Sequence, residues 1–206
     1  MTSPSHLPGR LTLVNLPNML TILRLILVPV FLLALFAGGG HVPAARWVAG
    51  GIFAVAAITD RYDGRIARRR GQVTDFGKIA DPIADKALIG SALVGLALLG
   101  EIYWWITVVI LTREIGITLL RLAVIRYGVI AASPGGKVKT LVQIVAIGLY
   151  VLPLASLPLP HSAIDWGRGI LMAAAIILTI ATGLDYLARA GALVSRARRA
   201  GRSDRT

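Results

Sequence analysis

Five aspartates fall between residues 60 and 85: Asp60, Asp63, Asp75, Asp81 and Asp85, half of the ten acidic residues in a 206-residue chain. Carboxylates at membrane depth are costly, so in an apolar chain a cluster of them marks a working site. Their spacing narrows the chemistry. Asp60 and Asp63 are three apart and Asp81 and Asp85 four apart, so on helices each pair turns its carboxylates to one side. Two such pairs facing each other would hold hard divalent cations, which select oxygen ligands. Asp75 stands outside the pattern and reads as a loop residue capping a helix that starts at Phe76.

Other residues in the stretch suit a phosphate ligand. A pyrophosphate carries dense negative charge, and attack on it requires that charge to be neutralised; two metals can bridge its oxygens and stabilise the leaving group. Four carboxylates are about what two Mg2+ or Mn2+ ions need alongside substrate oxygens and water. Gly64 and Gly77 have no Cβ, so backbone and nucleotide can approach closely. Arg68 offers a fixed guanidinium fork to phosphate or base oxygens, whereas Arg69 and Arg70 read as topology anchors.

The elements that position these groups are membrane helices. Hydrophobic residues make up 56% of the chain and charged ones 16%, too apolar for an ordinary soluble domain. Six apolar runs, at about 20–37, 47–59, 79–99, 102–123, 138–157 and 169–187, approach the ~20 residues a bilayer span needs. The second is short because its end runs into the aspartate motif; the helix is expected to continue through Asp63 to about Ala67, facing a cavity rather than lipid. The first mimics a signal peptide, but five further spans favour an uncleaved helix. Residues 1–19 form a tail and an interfacial segment, amphipathic over 11–19. Residues 20–188 form one membrane domain, and 189–206 a basic, solvated tail.

Net charge is +12, and its distribution argues against nucleic acid. Every Lys and Arg except Arg46 and Arg168 falls on one predicted side, which the positive-inside rule makes the cytoplasm, with both termini there. Anionic headgroups reinforce that placement. With zero Cys, disulfides, thiol catalysis and thiolate metal sites are excluded. Trp104, Trp105 and Trp166 fit an outer interfacial belt. His6, His41 and His161 lie in the tail or outer loops, and none reads as a catalytic base.

Written out, the motif is Asp60-x2-Asp63-Gly64-x2-Ala67-Arg68-x8-Gly77-x3-Asp81-x3-Asp85, and it resembles the full signature of the CDP-alcohol phosphotransferases. The resemblance implies an all-α membrane enzyme that transfers a substituted phosphate from a CDP-linked donor to an alcohol and releases CMP. It implies Asp60, Asp63, Asp81 and Asp85 as metal ligands, with Asp85 also the general base. It implies Asn18, Thr21, Gly64, Arg68, Thr74 and Gly77 as contacts to the CDP donor, and a homodimer as the assembly. One departure is Arg61-Tyr62, where relatives often carry an aromatic–hydrophobic pair; it sets a positive charge beside the ligands.

Three further segments, around Asn15–Arg24, Thr112–Ile115 and Gly136–Gln143, resemble the branch of the family that joins CDP-diacylglycerol to sn-glycerol 3-phosphate, its actinobacterial members most closely. A phosphorylated acceptor needs cations beside the metals, and Arg113, Arg121, Lys137 and Lys139 stand at the cytoplasmic halves of the fourth and fifth runs. Arg121 reads equally well as a positive-inside residue, and Arg126 better so. Arg113, with Glu114 beside it, falls near mid-membrane and calls for a cavity or partner. The rival acceptors are inositol phosphate and, as in a cardiolipin synthase, phosphatidylglycerol. A cation or proton transporter would spread its acids through the membrane depth, and here they bunch at one end.

Overall fold

Apolar runs punctuated by Gly and Pro become, among the described residues, six long α-helices with no strand: α1 Leu16–Phe36, α2 Pro43–Arg70, α3 Asp75–Leu98, α4 Trp104–Val124, α5 Pro134–Val151 and α6 His161–Ser203. The computed structural model describes residues 16–70, 75–124, 134–158 and 160–203; at 16–18, 20, 60–70, 75–83, 85, 134 and 196–203 it describes the backbone alone. Helix α1 packs on both α2 and α3, α6 packs on α4 and α5, and α3 and α5 connect the two groups. The core between them is Phe31, Leu35, Phe53, Leu93, Leu96, Ile110 and Ile147. Phe31 and Phe53 meet with ring centroids 5.8 Å apart. Ala49, Ala56, Ala92, Ala146 and Ala175 are also buried there, small residues that let membrane helices approach closely.

The outer surface is far more apolar than that of a water-soluble bundle, and some polar groups are buried. Leu33, Leu122, Trp166 and Ile177 are largely exposed, while Thr21, Arg24, Arg46, Thr107, Lys139, Gln143 and Thr179 are buried. Large apolar side chains facing outward on every helix suit a surrounding of lipid. Thr21–Gly40 and His161–Ser195 are long and apolar enough to cross a membrane, with mean hydropathies of 2.4 and 2.0. Among the described residues, Pro43–Thr59 and Lys86–Leu98 are the apolar parts of α2 and α3; the aspartate motif follows the one and precedes the other in sequence. Helix α4 is mainly apolar, with Arg113, Glu114 and Arg121 as the charges within its 21 residues. This is a membrane protein.

Several boundaries depart from expectation. Helix α2 runs to Arg70, past the expected end near Ala67. Leu16–Met19 is the first turn of α1 rather than part of a separate interfacial helix, and 11–15 lies outside the described residues. Helix α5 stops at Val151 instead of 157; Pro153 lies two residues on, and proline has no N–H to continue the ladder. Helix α6 begins at His161 and runs 43 residues, against the expected 169–187. At ~1.5 Å per residue it is about 65 Å long, twice the hydrocarbon thickness. The Ala/Arg-rich stretch read as a solvated tail is therefore helical through Ser203, as its helix-favouring residues allow. Between α1 and α2, Gly38, Gly39 and Gly40 have φ of 57°, 67° and 80°, a left-handed run that explains three consecutive glycines.

Candidate active site

Helix ends define where the aspartates stand. Asp60 is ten residues before the end of α2 and Asp85 ten after the start of α3, with Asp63 and Asp81 seven and six from the same ends. The two pairs therefore stand at matching levels, roughly 10–15 Å along their helices from the connection. Register alone turns Asp60 with Asp63, and Asp81 with Asp85, to one side of each helix. Gly64 and Arg68 continue along α2, and Gly77 lies in the first turn of α3. The side chains of Asp60, Arg61, Asp63, Arg68, Asp75, Asp81 and Asp85, and all of Thr74, lie outside the described residues. As a donor set, carboxylates paired on two neighbouring helices suit Mg2+ or Mn2+.

Helix α1, which touches both motif helices, carries the expected donor contacts. Asn18 lies in its first turn, its side chain outside the described residues. Thr21 is fully buried, and Arg24, one turn on, is 1% exposed. Sequence reasoning counted Arg24 only as a topology charge. Its three-residue spacing from Thr21 was the available sign that the two share a buried face.

The basic residues assigned to the acceptor separate into groups. Arg113, the tenth residue of α4, is about 15 Å into its helix. Its Nη1 donates to Glu114 Oε1 at 3.1 Å and its Nη2 to Thr182 Oγ1 of α6 at 2.8 Å. Close approach of α6 is helped by Gly183, where a Cβ would stand 3.4 Å from the Arg113 side chain. Lys139, 3% exposed on α5, donates to the same Glu114 Oε1. Arg121 is exposed; its Nε donates to Tyr186 Oη at 3.1 Å, and its guanidinium lies 5.6 Å from that ring's centroid. Lys137 is exposed and stands two residues from Lys139, toward the other side of α5.

Arg113, Glu114 and Lys139 thus form one partly buried charged node, beside a cavity of about 100 Å³. Lys86, Glu114, Lys139, Thr140 and Gln143 supply its polar lining, with three aliphatic side chains. Lys86 directly follows Asp85, so the cavity adjoins the turn of α3 that carries the fourth aspartate. The Arg113 Nε and the Gln143 Oε1 are buried with no hydrogen-bond partner, leaving donor and acceptor capacity at this node. Lys86 and Gln143 were not singled out from the sequence as site residues. The spacing of Lys139, Thr140 and Gln143 on one face of α5 was the signal that could have found Gln143.

Comparison with known proteins agrees with the motif. The profile of the CDP-alcohol phosphatidyltransferase family matches residues 14–181. A probable phosphatidylglycerophosphate synthase from Mycobacterium tuberculosis is 63% identical over 185 residues, covering 90% of this chain and 86% of the relative. The CDP-diacylglycerol–glycerol-3-phosphate 3-phosphatidyltransferase of Escherichia coli K12 is 38% identical, covering 86% of this chain and 96% of the relative. That of Bacillus subtilis is 35% identical, covering 85% and 94%. With the family profile spanning most of its length and such relatives covering nearly all of it, the chain belongs to the CDP-alcohol phosphatidyltransferase family.

Proposed function

We propose that this chain transfers the phosphatidyl group of CDP-diacylglycerol to sn-glycerol 3-phosphate, giving phosphatidylglycerophosphate and CMP. The observation that carries a phosphate-bearing acceptor is the cationic node. Arg113 and Lys139 converge on Glu114, and Glu114, Lys139 and Lys86 line a cavity next to the aspartate motif. An acceptor that already bears a phosphate needs such a counter-charge, and a plain alcohol does not. The names of the relatives above point to the same acceptor.

In this reading Asp60, Asp63, Asp81 and Asp85 hold two Mg2+ or Mn2+ ions, which neutralise the pyrophosphate charge of the donor. Asn18, Thr21, Gly64, Arg68, Thr74 and Gly77 hold the CDP group. Arg113 and Lys139 hold the acceptor phosphate, with Arg121 and Lys137 further out. The acceptor hydroxyl oxygen attacks the phosphorus that carries diacylglycerol, the bond to the CMP oxygen breaks, and Asp85 accepts the hydroxyl proton. All six helices cross the cell membrane with both termini cytoplasmic, in keeping with the one-sided distribution of Lys and Arg. The cavity opens to the cytoplasm and the inner leaflet, where the lipid tails enter sideways. A homodimer belongs to the reading through the family resemblance.

The test is CMP release by purified full-length protein supplied with Mg2+ and CDP-diacylglycerol. Glycerol 3-phosphate should support release, and inositol phosphate and phosphatidylglycerol should not. Silence with glycerol 3-phosphate, or equal rates with a competitor, would overturn the acceptor assignment.

A further inference from the structure

We infer that Glu114 is the positioning residue of the acceptor subsite: its carboxylate fixes two cations of different helices in the geometry that receives a phosphomonoester. The inference rests on the reading that this cavity takes the acceptor's phosphate, and it goes beyond that reading by giving the one acid of the node a task.

Glu114 Oε1 accepts from Arg113 Nη1 on its own helix and from Lys139 Nζ on α5. Arg113 in turn reaches Thr182 on α6, and Lys86 of α3 lines the same cavity. One carboxylate therefore stands where four helices converge. A lysine ammonium on its four-carbon stem is a mobile point charge with three rotatable donors. Buried, it needs fixed partners to hold one orientation, and Glu114 is one of them. Arg113 has the opposite property, a rigid fork. With Nη1 on Glu114 and Nη2 on Thr182, the orientation of its guanidinium plane is set, and Nε is left buried without a partner.

Charge gives a second reason for an acid here. Lys86 and Lys139, which line the cavity, and Arg113, which pairs with Glu114, leave a surplus of two positive charges over Glu114 at this node. A phosphomonoester carries about −1.5 to −2 at neutral pH. The subsite is thus matched to one phosphate group, and Glu114 sets both the match and the direction of the donors. A carboxylate in an anion site lowers affinity if it acts by charge alone. Its presence is accounted for when it orders the cations that do the binding.

The test uses purified full-length protein with Mg2+ and CDP-diacylglycerol, titrating glycerol 3-phosphate while following thermal unfolding of each variant. Glu114→Asp keeps the charge but withdraws the carboxylate by one methylene. Its KM for glycerol 3-phosphate should rise about tenfold, the size of one lost charged hydrogen bond, with KM for CDP-diacylglycerol and Tm unchanged. The double variant Glu114→Gln with Lys139→Met removes that pair together, and Arg113 keeps Thr182 and the glutamine amide oxygen as acceptors, so it should fold. Its KM for glycerol 3-phosphate should rise at least as much. A wild-type KM in either variant overturns the inference, because Glu114 would then only neutralise Lys139. So does a Glu114→Asp variant that loses affinity for both substrates along with Tm. Wild-type protein that releases no CMP with glycerol 3-phosphate overturns the acceptor reading and this inference with it, whereas an active wild type with normal variants overturns this inference alone.

Discussion

Two arginines, the buried Arg46 and the half-buried Arg113, sit in charged nodes of opposite design. Arg46 is 5% exposed at the start of α2, and each of its side-chain nitrogens donates. Nε reaches Val151 O at 2.8 Å, Nη1 reaches Gly40 O at 3.2 Å and Glu101 Oε1 at 2.7 Å, and Nη2 reaches Tyr150 O. Three of those acceptors are backbone carbonyls, two of them in the last turn of α5, where orphan carbonyls need donors. Arg168 adds a bond from Nη2 to Leu152 O at 2.8 Å just beyond. This node ties the turn after α1, the connection before α4 and the end of α5 to one side chain. Arg113, by contrast, meets only side chains, keeps Nε unpaired, and belongs to a node that borders a cavity. A saturated guanidinium holds structure together; one with capacity left over beside a cavity is placed to bind.

Substitutions can break that contrast or sharpen it. The largest effect is expected at the motif itself: Asp85→Asn should lower CMP release about 10²–10⁴-fold, the usual worth of a general base, with Tm unchanged. Full activity in that variant would remove Asp85 from the role. Chelating divalent ions from the assay should abolish release in wild type, and Mg2+ should restore it; release that survives chelation would contradict the metal assignment. Next comes Arg46→Ala, which strands Glu101 and several carbonyls. Breaking a buried pair costs about 3–5 kcal/mol, read as a fall in Tm, with both KM values held wherever the variant folds. A selective rise in one KM would erase the distinction between the nodes. Arg121→Ala should raise KM for glycerol 3-phosphate only about twofold, since exposed contacts contribute little. Lys137→Ala should be smaller still, within the ~0.5 kcal/mol typical of surface changes.

Much of this was legible in the sequence, for physical reasons. Helices α1, α3 and α4 follow from apolar runs of about bilayer length, and α2 from a shorter run carried on into the motif. Arg113 and Glu114 announced a buried polar node because no isolated charge stays at mid-membrane without a partner. What stayed hidden were partners distant in sequence. Lys139 lies 25 residues from Glu114, and Thr182 lies 69 from Arg113. The structural role of Arg46 could not be read at all, because its acceptors are mainly main-chain carbonyls, which every residue carries. The length of α6 was underestimated because its Arg/Ala-rich end lacks an apolar face, although those residues favour helix.

The contrast between the nodes meets its most direct test in the KM for glycerol 3-phosphate of Lys139→Met, measured beside that of Arg46→Met. Methionine fills the volume of the lysine stem without its charge, and Glu114 keeps Arg113 as a partner, so the protein should fold. The account predicts a rise of about tenfold or more for Lys139→Met, with KM for CDP-diacylglycerol unchanged, and no change in either KM for Arg46→Met. An unchanged KM for glycerol 3-phosphate in Lys139→Met would contradict it.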